Sequence, residues 1–298
     1  MKYVSLGDTG ISVSRLGFGN WTLSVKGWNI DNEDKSRSLI KAAFDLGVNF
    51  FDTSDRFGNG FGEELISNLS SHLRHEIVIS TKGGFDFSPA KFGQEKKPKN
   101  VSYDYLISAC EGSLKRLKTD YIDIYMIDYP NLSDVENDEP FEALSRLKED
   151  GKILAWGASV DYSDDMDEVV EILVKDRGAE VLHIPYNVAE TEFIDKFADL
   201  LNEYSTGILA RRTHCYGLFD GTLDFEQIGQ FTEHDLEKVN PGLKRVITTN
   251  NELSEILYQE RNLKSDALEY VLKSDLVSSV LPNITNLEDL VRYCDISN

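Results

Sequence analysis

Three ionisable side chains in this sequence follow short apolar runs. Asp52 comes after residues 48–51, Lys82 after residues 77–80 and Asp128 after residues 122–127. If these runs are neighbouring parallel strands, their carboxyl ends meet and bring two carboxylates and one amine together. Such a group can transfer protons, and it can equally form a structural ion cluster that satisfies buried charges. Both interpretations depend on the elements that position the three residues.

The apolar pattern predicts these elements. A pair of short segments flanks a turn at residues 7–10, and strand-like runs follow at residues 16–18, 48–51, 77–80, 122–127, 153–156, 181–184, 208–210 and 277–281. Between the runs, apolar residues recur every three or four positions, which predicts helices with one buried face. We therefore expect an α/β fold: a (β/α)₈ TIM barrel with a short N-terminal β-hairpin and a site on the loops after the strands. A doubly wound open sheet is the alternative, weakened because GxGxxG does not follow the first strand.

Length and charge restrict the class of protein. The 298 residues contain no Pro/Gly/Ser-rich linker, so we expect a single domain over residues 1–298. Fifty-two Asp and Glu against 31 Lys and Arg give a net charge of −21, which argues against nucleic acid or an anionic membrane as the main partner. No apolar run suits a signal peptide or a membrane span, and the three cysteines are far apart, which predicts a cytoplasmic protein without disulfides. The spacing of His, Cys and acidic residues predicts no metal site.

Several motifs resemble the aldo-keto reductases. They are Gly17-Phe18-Gly19-Asn20-Trp21, residues 47–55 with Gly58 and Glu63, Ser80-Thr81-Lys82-Gly83-Gly84, residues 114–123, residues 151–159, Pro185-Tyr186-Asn187 and residues 277–282. The motifs stand in the family's order over almost the whole chain. The resemblance implies a (β/α)₈ barrel that binds NADP or NAD across its mouth and passes hydride to the carbonyl group of a small molecule.

The resemblance also implies which residues carry the chemistry. In the family an Asp holds a Lys, whose ammonium lowers the pKa of a Tyr that gives its proton to the nascent alkoxide, and a His assists. Asp52 and Lys82 match, but Phe57 stands at the tyrosine position and Asp128 at the histidine position. Losing a general acid costs about 10²–10⁴ in rate, so we expect reductase activity to be lost or strongly reduced.

The cofactor positions depart from the family as well. The positions that hold the carboxamide fall on Ser159, Val160 and His183, and those around the adenine ribose and 2′-phosphate fall on Asn283, Thr285, Glu288 and Tyr293. Without an arginine at Thr285 the grip on a 2′-phosphate is lost, so NADPH binding is expected to be weak and NADH to be the less demanding ligand. Trp21 and Tyr129 are the expected pocket residues.

A short basic segment follows the seventh predicted strand. Arg211, Arg212 and His214 lie where barrels often bind phosphate, which predicts an anion site. The alternative is that the two arginines pair with nearby carboxylates.

Three functions remain open. The first is a binding or regulatory protein for a small carbonyl compound or a phosphorylated ligand. The second is an active NAD(P)H-dependent oxidoreductase that takes its proton from water or from Asp128, the latter if Asp52 and Asp128 share the Lys82 ammonium. The third is Schiff-base chemistry at Lys82.

Overall fold

The computed structural model describes residues 1–24, 32–86, 97–221, 243, 245–246 and 263–298. A hairpin of β1 (Tyr3–Ser5) and β2 (Ser12–Ser14) precedes eight parallel strands: β3 (Phe18–Gly19), β4 (Phe50–Asp52), β5 (Val78–Gly83), β6 (Ile122–Asp128), β7 (Ile153–Ser159), β8 (Val181–Pro185), β9 (Gly207–Arg211) and β10 (Val277–Leu281). Each strand pairs with its neighbour in sequence, and a parallel bridge from Leu16 to Val280 joins the last strand to the first. The predicted (β/α)₈ barrel and hairpin are confirmed, and the open-sheet alternative is wrong.

The helices surround the strands. They are α1 (Trp21–Ser24), α2 (Glu33–Asp45), α3 (Phe61–Leu73), α4 (Tyr103–Leu117), α5 (Leu132–Glu136), α6 (Glu139–Glu149), α7 (Met166–Glu171, continued by a π-helical turn Ile172–Asp176), α8 (Glu192–Glu203), α9 (Leu263–Leu272) and α10 (Leu287–Ile296). The long periodic segments form helices as predicted. In the described ranges, no helix has both the length and the apolar character needed to cross a membrane.

Seven of the eight barrel strands end later in the chain than the apolar runs predict. Lys82 lies within β5 and pairs with Met126 of β6, while Asp128 ends β6 and pairs with Ser159 of β7. The polar side chains end the apolar pattern, but the backbone ladder continues through them. Asp52, Lys82 and Asp128 are therefore held by sheet hydrogen bonds rather than by loops.

The hairpin closes one end of the barrel. Leu6 and Val13 join the apolar cluster of the barrel interior, which includes Phe50, Val181 and Leu209. The N–H of Asp8 donates to the carbonyl of Ser205, just before β9 begins. The hairpin thus covers the amino ends of the strands, and the carboxyl ends form the mouth.

Candidate active site at the barrel mouth

A cavity of about 420 Å³ opens at the carboxyl ends of the strands. Its wall contains most of the site residues expected from the sequence: Trp21, Asp52, Phe57, Lys82, Asp128, Tyr129, Ser159, His183, Arg211, Arg212, His214 and Asn283. Thr285 and Glu288 lie outside this wall. The Glu288 side chain is 82% exposed and forms an ion pair with Arg292 at 2.9 Å. The barrel therefore gathers the residues expected near the reacting end of a cofactor, and the structure does not place Thr285 and Glu288 with them.

Lys82 and Asp52 form a buried ion pair at the bottom of the cavity. Lys82 Nζ donates to Asp52 Oδ1 at 2.6 Å and to the carbonyl of Thr53 at 2.8 Å. The same carboxylate oxygen accepts from Ser80 Oγ at 2.5 Å. Both charged groups are almost fully buried, so their mutual pairing keeps each from being an isolated charge.

Asp128 pairs with Arg56 instead of sharing the Lys82 ammonium. Arg56 Nε lies 2.5 Å from Asp128 Oδ2, and the guanidinium also faces the ring of Tyr129 at 5.2 Å. Burial disfavours the charge of Arg56, but Asp128 outweighs this effect and raises the pKa of the guanidinium. Asp52 and Asp128 therefore have different cationic partners in this structure, Lys82 and Arg56. Sequence analysis did not assign Arg56, although its place beside Phe57 in the loop after β4 was a usable signal.

Phe57 lies where the family's tyrosine is expected. The ring is buried, with its centroid 5.7 Å from Lys82 Nζ, and it makes an edge contact with Trp21 at 5.0 Å. Trp21 is 41% exposed and lines the cavity. The aromatic pair forms an apolar wall above the ammonium, and a phenyl ring has no proton to transfer.

His183 faces the cavity without a hydrogen-bond partner. It pairs in register with Ser159 of β7, which itself pairs with Asp128 of β6. The side chain is 5% exposed, and neither ring nitrogen has a partner among the described residues. Burial, together with the charges of Lys82, Arg211 and Arg212, lowers the pKa of His183 well below its ordinary value. The imidazole is therefore neutral at physiological pH.

The two arginines after β9 pair with Asp161, as the alternative interpretation predicted. Arg212 makes a two-pronged contact with this carboxylate, and Arg211 Nη2 lies 3.3 Å from Oδ2. Burial acts to raise the pKa of Asp161, but the two guanidinium groups hold it below its ordinary value. Arg211 Nη2 also donates to the carbonyl of Val160 at 2.8 Å, while Arg211 Nε has no partner in the described part of the chain. Asp161, close after β7, is a second residue that sequence analysis missed.

Beyond Arg212 the wall is closed by packed side chains. The rings of His214 and Tyr293 lie 5.4 Å apart, and His214 Nε2 is 3.1 Å from the carbonyl oxygen of Lys264. Lys264 Nζ is itself 3.2 Å from Asp289 Oδ2 in the first turn of α10. Tyr293 is fully buried. This region therefore joins the loop after β9 to α9 and α10.

Asp55 is a buried acid that does not line the cavity. Burial first, and then the charges of Glu63 and Asp128, raise its pKa well above the ordinary value. Its side chain is not among those that form the cavity wall. Over the described ranges, no group of three or more His, Cys, Asp or Glu side chains is arranged to hold a metal ion.

The comparison with known proteins agrees with this architecture. Residues 15–297 match the model of the aldo/keto reductase family. The chain belongs to this family. It is 28% identical to aldo-keto reductase YhdN of Bacillus subtilis over 264 residues, which are 86% of this chain and 76% of the relative. It is also 28% identical to L-glyceraldehyde 3-phosphate reductase of Escherichia coli over 310 residues, which are 97% of this chain and 86% of the relative.

A solved structure of an aldo-keto reductase has the same fold. The holo form of the Bacillus halodurans enzyme superimposes with a TM-score of 0.77 and 24% identity, over 99% of this chain and 90% of that chain. Aldo-keto reductases are oxidoreductases. In this member of the family, the Asp52–Lys82 pair is present and the ring of Phe57 lies beside it.

Proposed function

We propose that this aldo-keto reductase has lost, or strongly reduced, carbonyl reduction and that it acts by binding a small molecule in its barrel mouth, in a binding or regulatory role. One observation carries the proposal: the ring of Phe57 stands beside Lys82 where the family's acid is required. Hydride addition to a carbonyl leaves an alkoxide that must be protonated, and losing a positioned acid costs about 10²–10⁴ in rate.

Neither Asp128 nor Lys82 is a ready replacement for the missing proton donor. Asp128 is already engaged in an ion pair, with 2.5 Å between its Oδ2 and Nε of Arg56. Lys82 Nζ is held by hydrogen bonds to Asp52 and to the carbonyl of Thr53. These contacts also argue against Schiff-base chemistry, in which this nitrogen must be free to attack a carbonyl carbon.

The residues present fit only one end of a nicotinamide dinucleotide. Ser159 and His183 offer hydrogen-bonding groups at the positions where the family holds the carboxamide. At the adenine end, the first turn of α10 carries Glu288 and Asp289, and Asp289 is already paired with Lys264. Negative charge there opposes a 2′-phosphate. NADPH therefore does not fit these residues, and they support no reaction step through its nicotinamide.

The ligand class follows from the balance of charge in the mouth and from a relative. The cavity wall includes four cationic side chains, Arg56, Lys82, Arg211 and Arg212, against the two carboxylates of Asp52 and Asp128, in a protein with a net charge of −21. The Escherichia coli relative is, by its name, a reductase of a phosphorylated aldehyde. Both observations support a small phosphorylated carbonyl compound as the ligand. The cysteines of the described chain are free and buried, which supports a cytoplasmic location.

The alternative function is an active but atypical oxidoreductase that uses Asp128 or a bound water as the proton donor. The intact Asp52–Lys82 pair favours it, although breaking a buried ion pair is costly for structural reasons alone.

A turnover assay with a matched inactive variant separates the two functions. Purified protein is assayed with NADH and with NADPH against glyceraldehyde 3-phosphate and simple aldehydes. The control is Asp52→Asn/Lys82→Met, which removes both charges and so avoids leaving either one buried alone. We expect the rates of the two proteins to be indistinguishable. Saturable turnover by the unmodified protein, 100-fold above the control, would overturn the proposal.

A further inference from the structure

A cluster of buried polar atoms without hydrogen-bond partners lies on the paired strands β8 and β9 and in the loop that follows β9. They are both ring nitrogens of His183, Nε of Arg211, Oγ1 of Thr213 and Nδ1 of His214; no described residue pairs with any of them. All four residues line the cavity, and each is 9% exposed or less. Buried polar groups in proteins are nearly always hydrogen-bonded, so such a cluster beside a cavity indicates that a ligand supplies the missing partners.

The chemistry of these atoms selects an oxygen-rich anion. The Nε–H of Arg211 and the hydroxyl of Thr213 donate hydrogen bonds, and a neutral imidazole such as His183 donates from one of its two nitrogens. Several donors and one guanidinium on the same wall match an anionic group with several acceptor oxygens. A neutral carbonyl oxygen would satisfy fewer of them.

Asp161 does not supply the missing hydrogen-bond partner of Arg211 Nε. It neutralises Arg212 in a two-pronged contact, but it reaches only Nη2 of Arg211, at 3.3 Å. Nη2 also donates to the carbonyl of Val160, which fixes the orientation of the guanidinium and leaves Nε unused. Asp161 therefore orients Arg211 while the Nε–H stays available.

The location of the cluster decides whether a ligand bound there would overlap with the cofactor. His183 lies beside Ser159 in the ladder, at a position where the family holds the carboxamide of the nicotinamide. Arg211 and Arg56 both face the ring of Tyr129, each with its guanidinium carbon 5.2 Å from the ring centre. An anion on His183 and Arg211 would thus occupy the nicotinamide end of the mouth.

We propose that His183, Arg211 and Thr213 bind the phosphate group of a small phosphate ester in place of the nicotinamide, so that this ligand and NADH exclude one another. This proposal rests on the binding function proposed above and names the residues that bind the ligand. The phosphate group supplies acceptor oxygens for Arg211 Nε, Thr213 Oγ1 and one His183 nitrogen.

Calorimetric titration with glycerol 3-phosphate, inorganic phosphate and glycerol tests the site. We expect glycerol 3-phosphate to bind with 1:1 stoichiometry, phosphate more weakly, and glycerol not at all. Arg211→Gln and His183→Leu should each weaken glycerol 3-phosphate at least tenfold. Arg146→Gln, at an exposed arginine of α6, should leave its affinity unchanged. Added glycerol 3-phosphate should also raise the apparent Kd of any NADH that binds.

Several outcomes overturn the site. These are the absence of binding by both phosphates, equal binding of glycerol, or affinities that both variants leave unchanged. Arg211→Gln removes a hydrogen bond to Val160, so thermal melts must first show that it folds; if it does not, His183→Leu and Thr213→Ala decide the test. Failure here is distinct from failure of the proposed function, because that function fails only through saturable NAD(P)H-dependent turnover.

Discussion

Arg56 and Asp128 form an ion pair in which the two partners are unequally buried. Arg56 Nε lies 2.5 Å from Asp128 Oδ2; the carboxylate side chain is 2% exposed and the arginine side chain 29%. A freed guanidinium could turn toward water, whereas a freed carboxylate would stay in the protein. Removing Arg56 should therefore lower the free energy of unfolding more than removing Asp128.

We expect Arg56→Gln to lower the free energy of unfolding by about 3–5 kcal/mol, the usual cost of leaving a buried charge unpaired. Asp128→Asn should cost clearly less, and the double variant should resemble Asp128→Asn. Urea unfolding at pH 7 measures all three. Equal losses for the two single variants would contradict the unequal burial.

Much of this site could be predicted from the sequence, and its exceptions have physical reasons. Asp52 and Lys82 follow apolar runs, so strand periodicity predicted them at the mouth, whereas His183 was assigned only through the resemblance to the family. Arg56 was missed because its partner, Asp128, lies on another strand and is brought close only by the closed barrel. The unpaired state of His183 could not be predicted, because it depends on which groups fail to reach the ring.

Restoring the family's acid should restore part of the chemistry. Phe57→Tyr would place a phenol close to Lys82, whose ammonium stabilises a phenolate. We expect reduction of aldehydes at high NADH concentration to rise at least tenfold, and Phe57→Tyr/Asp128→His to exceed the single variant. Phe57→Leu is the control for altered packing. If neither tyrosine variant exceeds this control, the missing acid does not explain the low activity.

His183 should make the protein less stable in acid. Its pKa is lowered in the folded state from 6.5, so below about pH 6.5 the unfolded chain binds a proton that the folded chain does not. The free energy of unfolding therefore decreases as the pH is lowered below this value, by up to about 1.4 kcal/mol per pH unit from this one group. His183→Gln should flatten the pH dependence between pH 6.5 and 5, as measured by urea unfolding. The exposed His75→Gln serves as the control, and identical slopes for both variants would refute this assignment.

Lys99 should affect the stability of the protein at alkaline pH. Its ammonium donates to the carbonyls of Asp128 and Tyr129, and burial lowers its pKa to about 8 from 10.5. Between these values the unfolded chain keeps a proton that the folded chain has released, so this group makes stability rise with pH. Thermal melts from pH 8 to 10 should show that rise diminished in Lys99→Met and retained in Lys41→Met, a change at an exposed lysine. A rise of the same size in Lys99→Met would exclude this role.

The hairpin that covers the amino ends of the strands has a kinetic consequence. Leu6 and Val13 fill that end of the barrel with apolar side chains, so among the described residues the carboxyl ends of the strands are where a molecule enters and leaves the mouth. A second molecule cannot push the first through the barrel; it has to wait until the first has left. When one bound ligand is exchanged for another, the observed rate should therefore approach the dissociation rate of the first ligand and stop rising with the concentration of the second.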